Sequence, residues 1–326
     1  MKPVLLHRGS VKDIYQVSEQ ELMFQFSDRY SIFDWGEMPD AIPGKGAALA
    51  LMGKKLLQHL NGLGFPTHYL GAGTDEKSML VKSVRVPRDD ISIYQSSPKN
   101  ILVPLEVIFR FGVPKGSSLL KRFKNEADWK SAGFDRAYRE GESFSEIKID
   151  FTTKLERQDR ALTNDEAKKL AGMNDAEWAE LNLKTTQIAN EIKKNFAAFG
   201  ATMWDGKFEF AFDDNRKMML VDSIGLDEMR LTFEDAPLSK ELLRQYYLQS
   251  SWYAALTRAK ETYPKDFKEH CQKVLNKSPK PLPSNVVTAI SELYQTVADL
   301  ILCEASEKPA LQAKLRTSLG HMVNKT

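Results

Sequence analysis

The sequence predicts an α+β fold, in which strands occupy the first part of the chain and helices close it. Three observations support this class. Short apolar runs separated by turn residues dominate residues 3–111, an alternating strand pair follows at residues 207–221, and helical periodicity covers most of residues 238–326. The 326 residues are enough for two or three units that share a core. We expect an antiparallel β unit at residues 1–86, an α+β unit at residues 87–237 and a helical region after it.

The first unit is predicted to begin with an antiparallel sheet. Its three strands are expected at residues 3–7, 14–17 and 22–26. Gly9 and Ser10 mark the turn after the first strand, and Lys12 follows it. A glycine turn with a nearby lysine suits a flap over phosphates. The same residues are also typical of a plain hairpin turn.

A polar and aromatic loop at residues 28–35 leads to a glycine-rich stretch at residues 42–46. Leucines at helical spacing then predict a helix over residues 47–60. Glycines before a helix N-terminus suit anion binding, because free backbone N–H groups and the helix dipole point at the ligand. Further strands are predicted at residues 78–86 and 101–111.

The rest of the chain is predicted to be mainly helical outside one central strand pair. Residues 123–150 are polar, and we expect them to be irregular. Residues 163–200 have the pattern of a helix, which Gly172 can divide into two pieces. The helices of the C-terminal region are expected to be interrupted where prolines occur, at Pro264 and residues 278–283.

The central strand pair carries charged residues on one face. Lys207 and Glu209 are two residues apart, so their side chains leave the same side of a strand. The polar residues 213–217 reverse the chain, and Asp222 at the end of the second strand can then lie beside Glu209. Two carboxylates and an ammonium group could hold Mg²⁺ and the phosphates that it bridges. A solvated sheet face with cross-strand ion pairs would show the same residues.

The composition argues against several classes of protein. A formal net charge of +2 is not that of a dedicated nucleic-acid or membrane-surface binder, which would concentrate basic residues. Cys271 and Cys303 are isolated in sequence and predict neither a disulfide framework nor a metal cluster. No apolar run approaches the roughly 18 residues of a membrane span, and the first residues do not resemble a signal peptide. We therefore expect a cytoplasmic protein without a nucleic-acid or membrane partner.

Several stretches, taken in order, resemble the SAICAR synthetase family. They are residues 9–15 (GSVKDIY), 27–34 (SDRYSIFD), 42–46 (IPGKG), 104–110 (PLEVIFR) and 207–210 (KFEF). The likeness continues into residues 281–287 (PLPSNVV) and so spans nearly the whole chain. The resemblance implies an antiparallel N-terminal sheet, an α+β domain related to the kinase and ATP-grasp folds, and C-terminal helices.

The resemblance also implies a reaction. The family joins the carboxylate of carboxyaminoimidazole ribonucleotide (CAIR) to the amine of L-aspartate in de novo purine biosynthesis. It uses ATP and Mg²⁺ and forms an acyl phosphate, which the aspartate nitrogen then attacks. Such chemistry depends on positioning and on charge stabilisation rather than on a protein nucleophile.

Particular residues match the family's functional positions. Those implied at the nucleotide are Gly9, Lys12, Lys82, Glu209 and Asp222, of which Glu209 and Asp222 resemble the metal ligands. Those implied at the reacting groups are Lys207, Asp227 and Asp34. Those implied at the ribonucleotide and its phosphate are Arg110, Ser117, Arg230 and Arg244.

Some positions depart from the family pattern, all at the nucleotide and metal end. Ser10 stands where the family usually has lysine, and Ser223 stands where it commonly has glutamate. Gln158 replaces the histidine of a His-Asp pair, and the usual Ser/Thr-Pro-Asp loop reads Gly-Leu-Asp at residues 225–227. Since Ser223 removes a carboxylate, we expect weaker Mg²⁺ binding unless substrate phosphates supply the missing ligands.

Two alternatives to the standard reaction follow from these departures. A divergent paralogue would keep the acyl-phosphate chemistry but use another carboxylate or another amine. A nucleotide-binding protein that has lost catalysis would bind ATP analogues without forming ADP. Retention of Glu209 and Asp222 favours an active ligase over the second alternative.

Overall fold

The computed structural model describes residues 3–88, 90–156 and 159–323, and the chain there is built on two antiparallel sheets. The strands are β1 (Val4–Arg8), β2 (Lys12–Gln16), β3 (Glu21–Phe26), β4 (Tyr69–Ala72), β5 (Ser78–Lys82), β6 (Ile101–Leu102), β7 (Leu105–Gly112), β8 (Ser143–Thr153), β9 (Ala161–Leu162), β10 (Ala201–Phe212), β11 (Met218–Val221), β12 (Met229–Phe233) and β13 (Ala236–Pro237). The helices are α1 (Lys45–Gly62), α2 (Ser118–Arg122), α3 (Glu126–Ser131), α4 (Asn164–Leu170), α5 (Asp175–Ala197), α6 (Glu241–Leu248), α7 (Ser251–Thr262), α8 (Phe267–Glu269), α9 (Ser284–Leu302) and α10 (Lys308–Val323).

The first sheet has five strands in the order β1-β2-β3-β5-β4. Each neighbouring pair is antiparallel, which confirms the predicted hairpin with Gly9 in its turn. Met23, Phe24 and Phe26 are buried on β3. Helix α1 packs against this sheet, because its buried residues recur every three or four positions and form one apolar stripe.

The second sheet has eight strands arranged around β10. The first half of β10 pairs with β12, its middle with β7, and its last residues with β11 and β6. Strand β10 therefore changes neighbours along its length, and Gly206 is paired with both β12 and β7. Helix α5 covers one face through Leu181, Ile188, Ile192 and Phe196. The opposite face of β10 carries the charged residues that the sequence singled out.

The prediction that residues 123–150 are irregular is wrong. Helix α3 lies there, with a capping box in which Asn125 and Asp128 satisfy each other's backbone N–H groups. Strand β8 also begins there, and its apolar Ile147, Ile149 and Phe151 alternate with polar residues. The charged residues between them make the segment polar on average, so its overall polarity does not reveal the alternation.

The other helical predictions are confirmed in outline. Gly172 separates α4 from α5 at a left-handed backbone angle (φ +57°), and a Cβ there would lie 1.9 Å from the carbonyl oxygen of Tyr94. The C-terminal helices are interrupted after α7 and before α9, as the prolines predicted. Helix α9 packs on both α1 and α10, so the core continues from the first sheet into the C-terminal region. The proposed division at residues 86/87 and 237/238 stays a prediction.

Within residues 3–88, 90–156 and 159–323, no helix is long and apolar enough to cross a membrane.

Candidate active site

A cavity of about 500 Å³ lies between the first sheet and the β10–β11 hairpin. One end is apolar, and the residues that line it are Val11, Ile14, Leu22, Phe24, Val81, Val84, Val86, Leu102, Leu155 and Val221. The other end is charged, and it is lined by Lys12, Lys154, Lys207, Glu209, Asp222, Asp227, Glu228, Lys240 and Arg244. An apolar slot that ends in ammonium groups suits a planar base with a phosphate chain.

The β1–β2 turn forms one wall of this cavity. Gly9 donates its N–H to the carbonyl oxygen of Lys12 at 3.0 Å, which closes the turn. A Cβ on Gly9 would lie 2.5 Å from that same oxygen, so the turn requires glycine. Arg29 donates to the carbonyl oxygen of Gly9 and to Asp13, and thereby ties the turn to the following loop. Ser10 is exposed at the tip.

Strand β2 delivers Lys12 to the charged end. Its ammonium group donates to the carboxylate of Asp222 and, at 3.2 Å, to Ser223 Oγ. It also lies 4.6 Å from the centre of the Phe24 ring. Lys12 thus bridges the two sheets across the cavity.

The β10–β11 hairpin brings Lys207, Glu209 and Asp222 together, as the sequence predicted. Glu209 pairs with Val221 in the strand register, so Asp222 follows immediately beside it. Lys207 Nζ lies 2.7 Å from Glu209 Oε1 and 3.9 Å from Asp222 Oδ2. Burial alone would raise the pKa of Asp222, but the ammonium groups of Lys12 and Lys207 overcome this effect and hold the pKa well below its usual range.

The same group contains Glu106 of β7 and Lys154, which the sequence analysis did not select. Lys154 Nζ lies 2.7 Å from Glu209 Oε1, and Lys207 Nζ lies 3.0 Å from Glu106 Oε1. Burial would lower the pKa of Lys207, but Glu209, Asp222 and Glu106 raise it well above its usual value. Lys207 is therefore a permanent cation. Alternation along β7, which places Glu106 and Arg110 on one face, was the signal available in the sequence.

The backbone of Asp222 is held in an uncommon conformation. Its φ is +68°, in the left-handed region that few non-glycine residues adopt. His68 Nε2 lies 3.0 Å from the Asp222 carbonyl oxygen and donates to it. Burial lowers the pKa of His68 to about 4, so its ring is neutral at physiological pH. His68 was not singled out as a site residue.

A second cavity, of about 380 Å³, adjoins the first. Arg110 and Arg230 line it, and buried Asp205 lies between them. Asp205 accepts from Arg110 Nη1 at 3.1 Å and from Arg230 Nε at 2.8 Å. Asp150 takes a further bond from Arg110 Nε at 2.6 Å. These carboxylates fix the orientation of two guanidinium groups, which suits recognition of a phosphate. Asp205 was missed, although it alternates with Lys207 along the same strand.

Arg244 and Ser117 occupy different positions relative to this second cavity. Arg244 lines both cavities and pairs with Glu241 at 3.1 Å. Ser117 is buried, and its hydroxyl oxygen accepts from the N–H of Leu119 at the start of α2. Its neighbours Gly116 and Ser118 line the cavity instead. The Ser117 side chain thus stabilises the wall.

Asp227 lines both cavities, but its carboxylate is already engaged. Lys45 Nζ, fully buried, lies 2.7 Å from Oδ2, and the hydroxyl of Tyr294 donates to Oδ1 at 2.7 Å. Burial would raise the pKa of Asp227, but Lys45 and Lys240 lower it. The lysine of the glycine-rich stretch therefore faces the protein interior rather than a phosphate.

Lys82 and Asp34 lie at the rim of the first cavity. Lys82 pairs with the exposed Asp214 at 2.7 Å. Asp34 pairs with Lys260 at 2.6 Å, and its side chain is 85% exposed, so it can turn toward a bound molecule. Gln158, the departure from the His-Asp pair, lies outside the described residues.

Lys240 and Glu228 are further site residues that the sequence analysis did not select. Both line the two cavities, as does Lys207. Burial lowers the pKa of Lys240, and nearby Arg244 adds to that effect. Both residues lie in loops, Glu228 just before β12 and Lys240 just before α6. No strand or helix periodicity in the sequence therefore indicates where their side chains point.

Comparisons with known proteins identify the family of this chain. The sequence profile of the SAICAR synthetase family matches residues 5–259. The chain is 36% identical to a protein of Archaeoglobus fulgidus that is named, provisionally, a phosphoribosylaminoimidazole-succinocarboxamide synthase; the match covers 88% of this chain and 91% of that protein. It is 30% identical to the phosphoribosylaminoimidazole-succinocarboxamide synthase of Thermoplasma volcanium, over 91% of this chain and 98% of the relative.

Solved structures share the fold. One is the SAICAR synthase of Saccharomyces cerevisiae complexed with SAICAR, with a TM-score of 0.66 and 19% identity over 92% of this chain and 94% of that one. Another is a SAICAR synthetase in complex with ADP, with a TM-score of 0.60 and 21% identity over 84% of this chain and 99% of that one. With the family profile and the two sequence relatives, these similarities establish that the chain belongs to the SAICAR synthetase family.

Proposed function

We propose that this protein is an ATP- and Mg²⁺-dependent ligase that joins the carboxylate of CAIR to the amine of L-aspartate. The products are SAICAR, ADP and phosphate, and the reaction belongs to de novo purine biosynthesis in the cytoplasm. The observation that carries the proposal is the pair of adjoining cavities. One suits a nucleotide and the other an anionic ribonucleotide, and Lys207 lines both.

Nucleotide binding is supported by the shape and charge of the first cavity. The base would lie in the apolar slot, and the phosphates would lie at Lys12, Lys154 and Lys207. These ammonium groups pair with carboxylates in the structure, so phosphate oxygens would compete for them. Membership of the SAICAR synthetase family and the ADP complex of a structural neighbour also support binding of an adenine nucleotide.

The donor set also suits Mg²⁺. Among the described residues there is no group of three or more metal-ligating side chains. Mg²⁺ is usually bound through one or two carboxylates together with substrate phosphates, and Glu209 and Asp222 are two carboxylates at the phosphate end. When bound, the ion would neutralise charge on the transferred phosphoryl group. Glu209 and Asp222 would hold it on the protein side.

The reacting carboxylate would lie where the cavities meet. Lys207, Lys240 and Arg244 line both cavities and would attract a carboxylate there. Arg110 and Arg230, oriented by Asp205, would hold the ribonucleotide phosphate. Positioning of the carboxylate against the terminal phosphate is the main contribution expected of the protein.

A coupled assay for ADP tests the proposal. Purified protein with MgATP, CAIR and L-aspartate should release ADP and form the succinocarboxamide, and omission of CAIR should abolish both. The absence of turnover with the complete mixture would refute the proposal.

A divergent paralogue is a second candidate, because two departures from the family pattern lie at the proposed nucleotide site. Ser10 lies in the flap, and Ser223 follows Asp222 and contacts Lys12. A panel of other carboxylates and amines, followed by ADP release, separates the two. The paralogue would turn over a different pair faster than CAIR and aspartate.

A further inference from the structure

The junction between the two cavities contains one carboxylate with a free oxygen. The acidic residues that line both cavities, among the described residues, are Asp227 and Glu228. Asp227 is engaged at both oxygens by Lys45 and Tyr294. Glu228 Oε1 accepts from Ser223 Oγ at 3.0 Å, whereas its Oε2 is buried without a hydrogen-bond partner.

An unpartnered buried carboxylate oxygen is unfavourable in itself, so its occurrence at a junction of cavities points to a ligand. The backbone of Glu228 is fixed on both sides. Its N–H donates to Gly225 at 3.2 Å, and its carbonyl accepts from the N–H of Lys207 at 3.0 Å. The side chain is therefore carried by a rigid segment next to β10, and Ser223 sets its direction.

The surroundings of Glu228 make its carboxylate a better proton acceptor. Burial raises the pKa of its carboxyl above the usual value, and nearby Asp227 and Asp222 raise it further. Lys12 and Lys240 act in the opposite direction. The carboxylate therefore has greater basicity than an exposed glutamate has.

We propose that Glu228 is a catalytic residue that receives the amino group of the second substrate at Oε2 and takes one of its protons. This assignment rests on the proposed function, in which an amine attacks an activated carboxylate at the junction. Aspartate arrives as an ammonium ion, which has no lone pair for attack. Among the described residues, the other charged side chains shared by the two cavities are cations, apart from Asp227, and a cation cannot accept the proton of the ammonium group.

Proton transfer, C–N bond formation and loss of phosphate together make up the step. Glu228 Oε2 takes one proton from the ammonium group, and the nitrogen lone pair forms the C–N bond at the acyl carbon. The bond between that carbon and the phosphate oxygen breaks, and phosphate leaves with the electron pair. The departing phosphate takes a second proton from nitrogen, and Glu228 returns its proton to water.

The test compares two nucleophiles with the full-length protein. Hydroxylamine is uncharged at neutral pH and captures an acyl phosphate without a base. In Glu228→Gln, turnover with aspartate should fall by about 100-fold or more, while ADP formation with CAIR and hydroxylamine should stay within about threefold of the wild-type rate. Glu228→Asp should recover part of the aspartate turnover. Glu19→Gln, at an exposed turn between β2 and β3, serves as the control.

Calorimetric binding of MgADP to each variant supplies a readout that does not depend on turnover. Unchanged binding with loss of the aspartate reaction alone supports the assignment. Weaker MgADP binding, or equal losses with both nucleophiles, would overturn it in favour of a metal or nucleotide role for Glu228. Equal rates in wild type and Glu228→Gln would overturn it also. If wild type forms no ADP with either nucleophile, the proposed function itself fails.

Discussion

At the scale of single residues, the charged end of the first cavity is a set of ion pairs that a bound nucleotide would rearrange. Lys12, Lys207 and Lys154 pair with Asp222 and Glu209, and each of these side chains is less than one-third exposed. Pairs of this kind add little net stability, because desolvation offsets their attraction. Their position in the first cavity fits the proposed binding of phosphates and a metal ion.

Asp222→Asn should lower turnover by at least about 100-fold, because it removes one of the two carboxylates proposed to hold Mg²⁺. The melting temperature should also fall, because Lys12 and Lys207 lose a charged partner, although asparagine tolerates the left-handed backbone at this position (φ +68°). Asp235→Asn is a matched control at an exposed turn (φ +66°). Steady-state ADP release and thermal melting measure the two effects. A large loss of stability with intact turnover would show that Asp222 is structural.

At the scale of secondary-structure elements, two hairpins from different sheets form the proposed nucleotide site. The β1–β2 hairpin presents Lys12, and the β10–β11 hairpin presents Glu209 and Asp222. The first hairpin lies at the edge of its sheet, and Val4, Leu5 and Leu6 of β1 are largely exposed. Changes in its turn should therefore affect ligand binding more than folding.

Gly9→Ala should weaken ADP binding by about tenfold, because the new Cβ would lie 2.5 Å from the carbonyl oxygen of Lys12 and displace the turn. Gly62→Ala is the control, since a Cβ there meets nothing within 4 Å. Isothermal calorimetry with MgADP measures the affinity. Equal affinities for the two variants would show that the turn does not act as a flap over the nucleotide.

The contact between His68 and the β11 end predicts a pH dependence of stability. The pKa of His68 is about 4 in the folded protein, whereas an exposed histidine has a pKa of 6.5. Between these pH values the unfolded chain therefore binds more protons than the folded protein does. Stability from the neutral ring is complete above pH 6.5 and is lost as the pH falls toward 4. From about pH 7.5 to about pH 5, the wild type should lose about 2 kcal/mol more unfolding free energy than His68→Gln.

Urea unfolding of both proteins at the two pH values measures this difference. Glutamine keeps a donor for the carbonyl oxygen of Asp222, so the comparison isolates the titration of the ring. Parallel pH profiles for wild type and His68→Gln would contradict the assignment of a neutral, buried His68.

At the scale of the whole molecule, one buried cluster joins the units that form the site. Lys45 begins α1, Tyr294 lies on α9, and Asp227 lies in the loop before β12. The cluster therefore connects the first sheet's helix and the C-terminal helices to the wall of both cavities. The site has its shape because these elements share one core.

Asp227→Asn should lower the free energy of unfolding by about 3–5 kcal/mol, because it leaves the ammonium group of Lys45 buried without its partner. Asp299→Asn, at an exposed position on α9, should change it little. Urea unfolding measures both. Full stability with a loss of turnover would instead support the role at the reacting groups that the family resemblance implied for Asp227.

Much of this molecule follows from local pattern. The α+β class, the β1–β2 hairpin and the meeting of Glu209 with Asp222 were predictable, because alternation and turn residues act over a few positions. The roles of Asp205 and Lys45 were not, because they depend on partners far along the chain. The polarity of residues 143–150 wrongly predicted irregular structure, because the charged residues of β8 lie on the face of the strand opposite its apolar residues.

The central claim is that the ribonucleotide carboxylate in one cavity is phosphorylated by ATP in the other. Transfer of oxygen-18 tests this most directly. With both carboxylate oxygens of CAIR labelled, each turnover with MgATP and aspartate should place one labelled oxygen in inorganic phosphate and leave the other in the amide, as mass spectrometry would detect. Turnover that yields unlabelled phosphate would contradict an acyl phosphate, and an absence of turnover would contradict the proposed reaction itself.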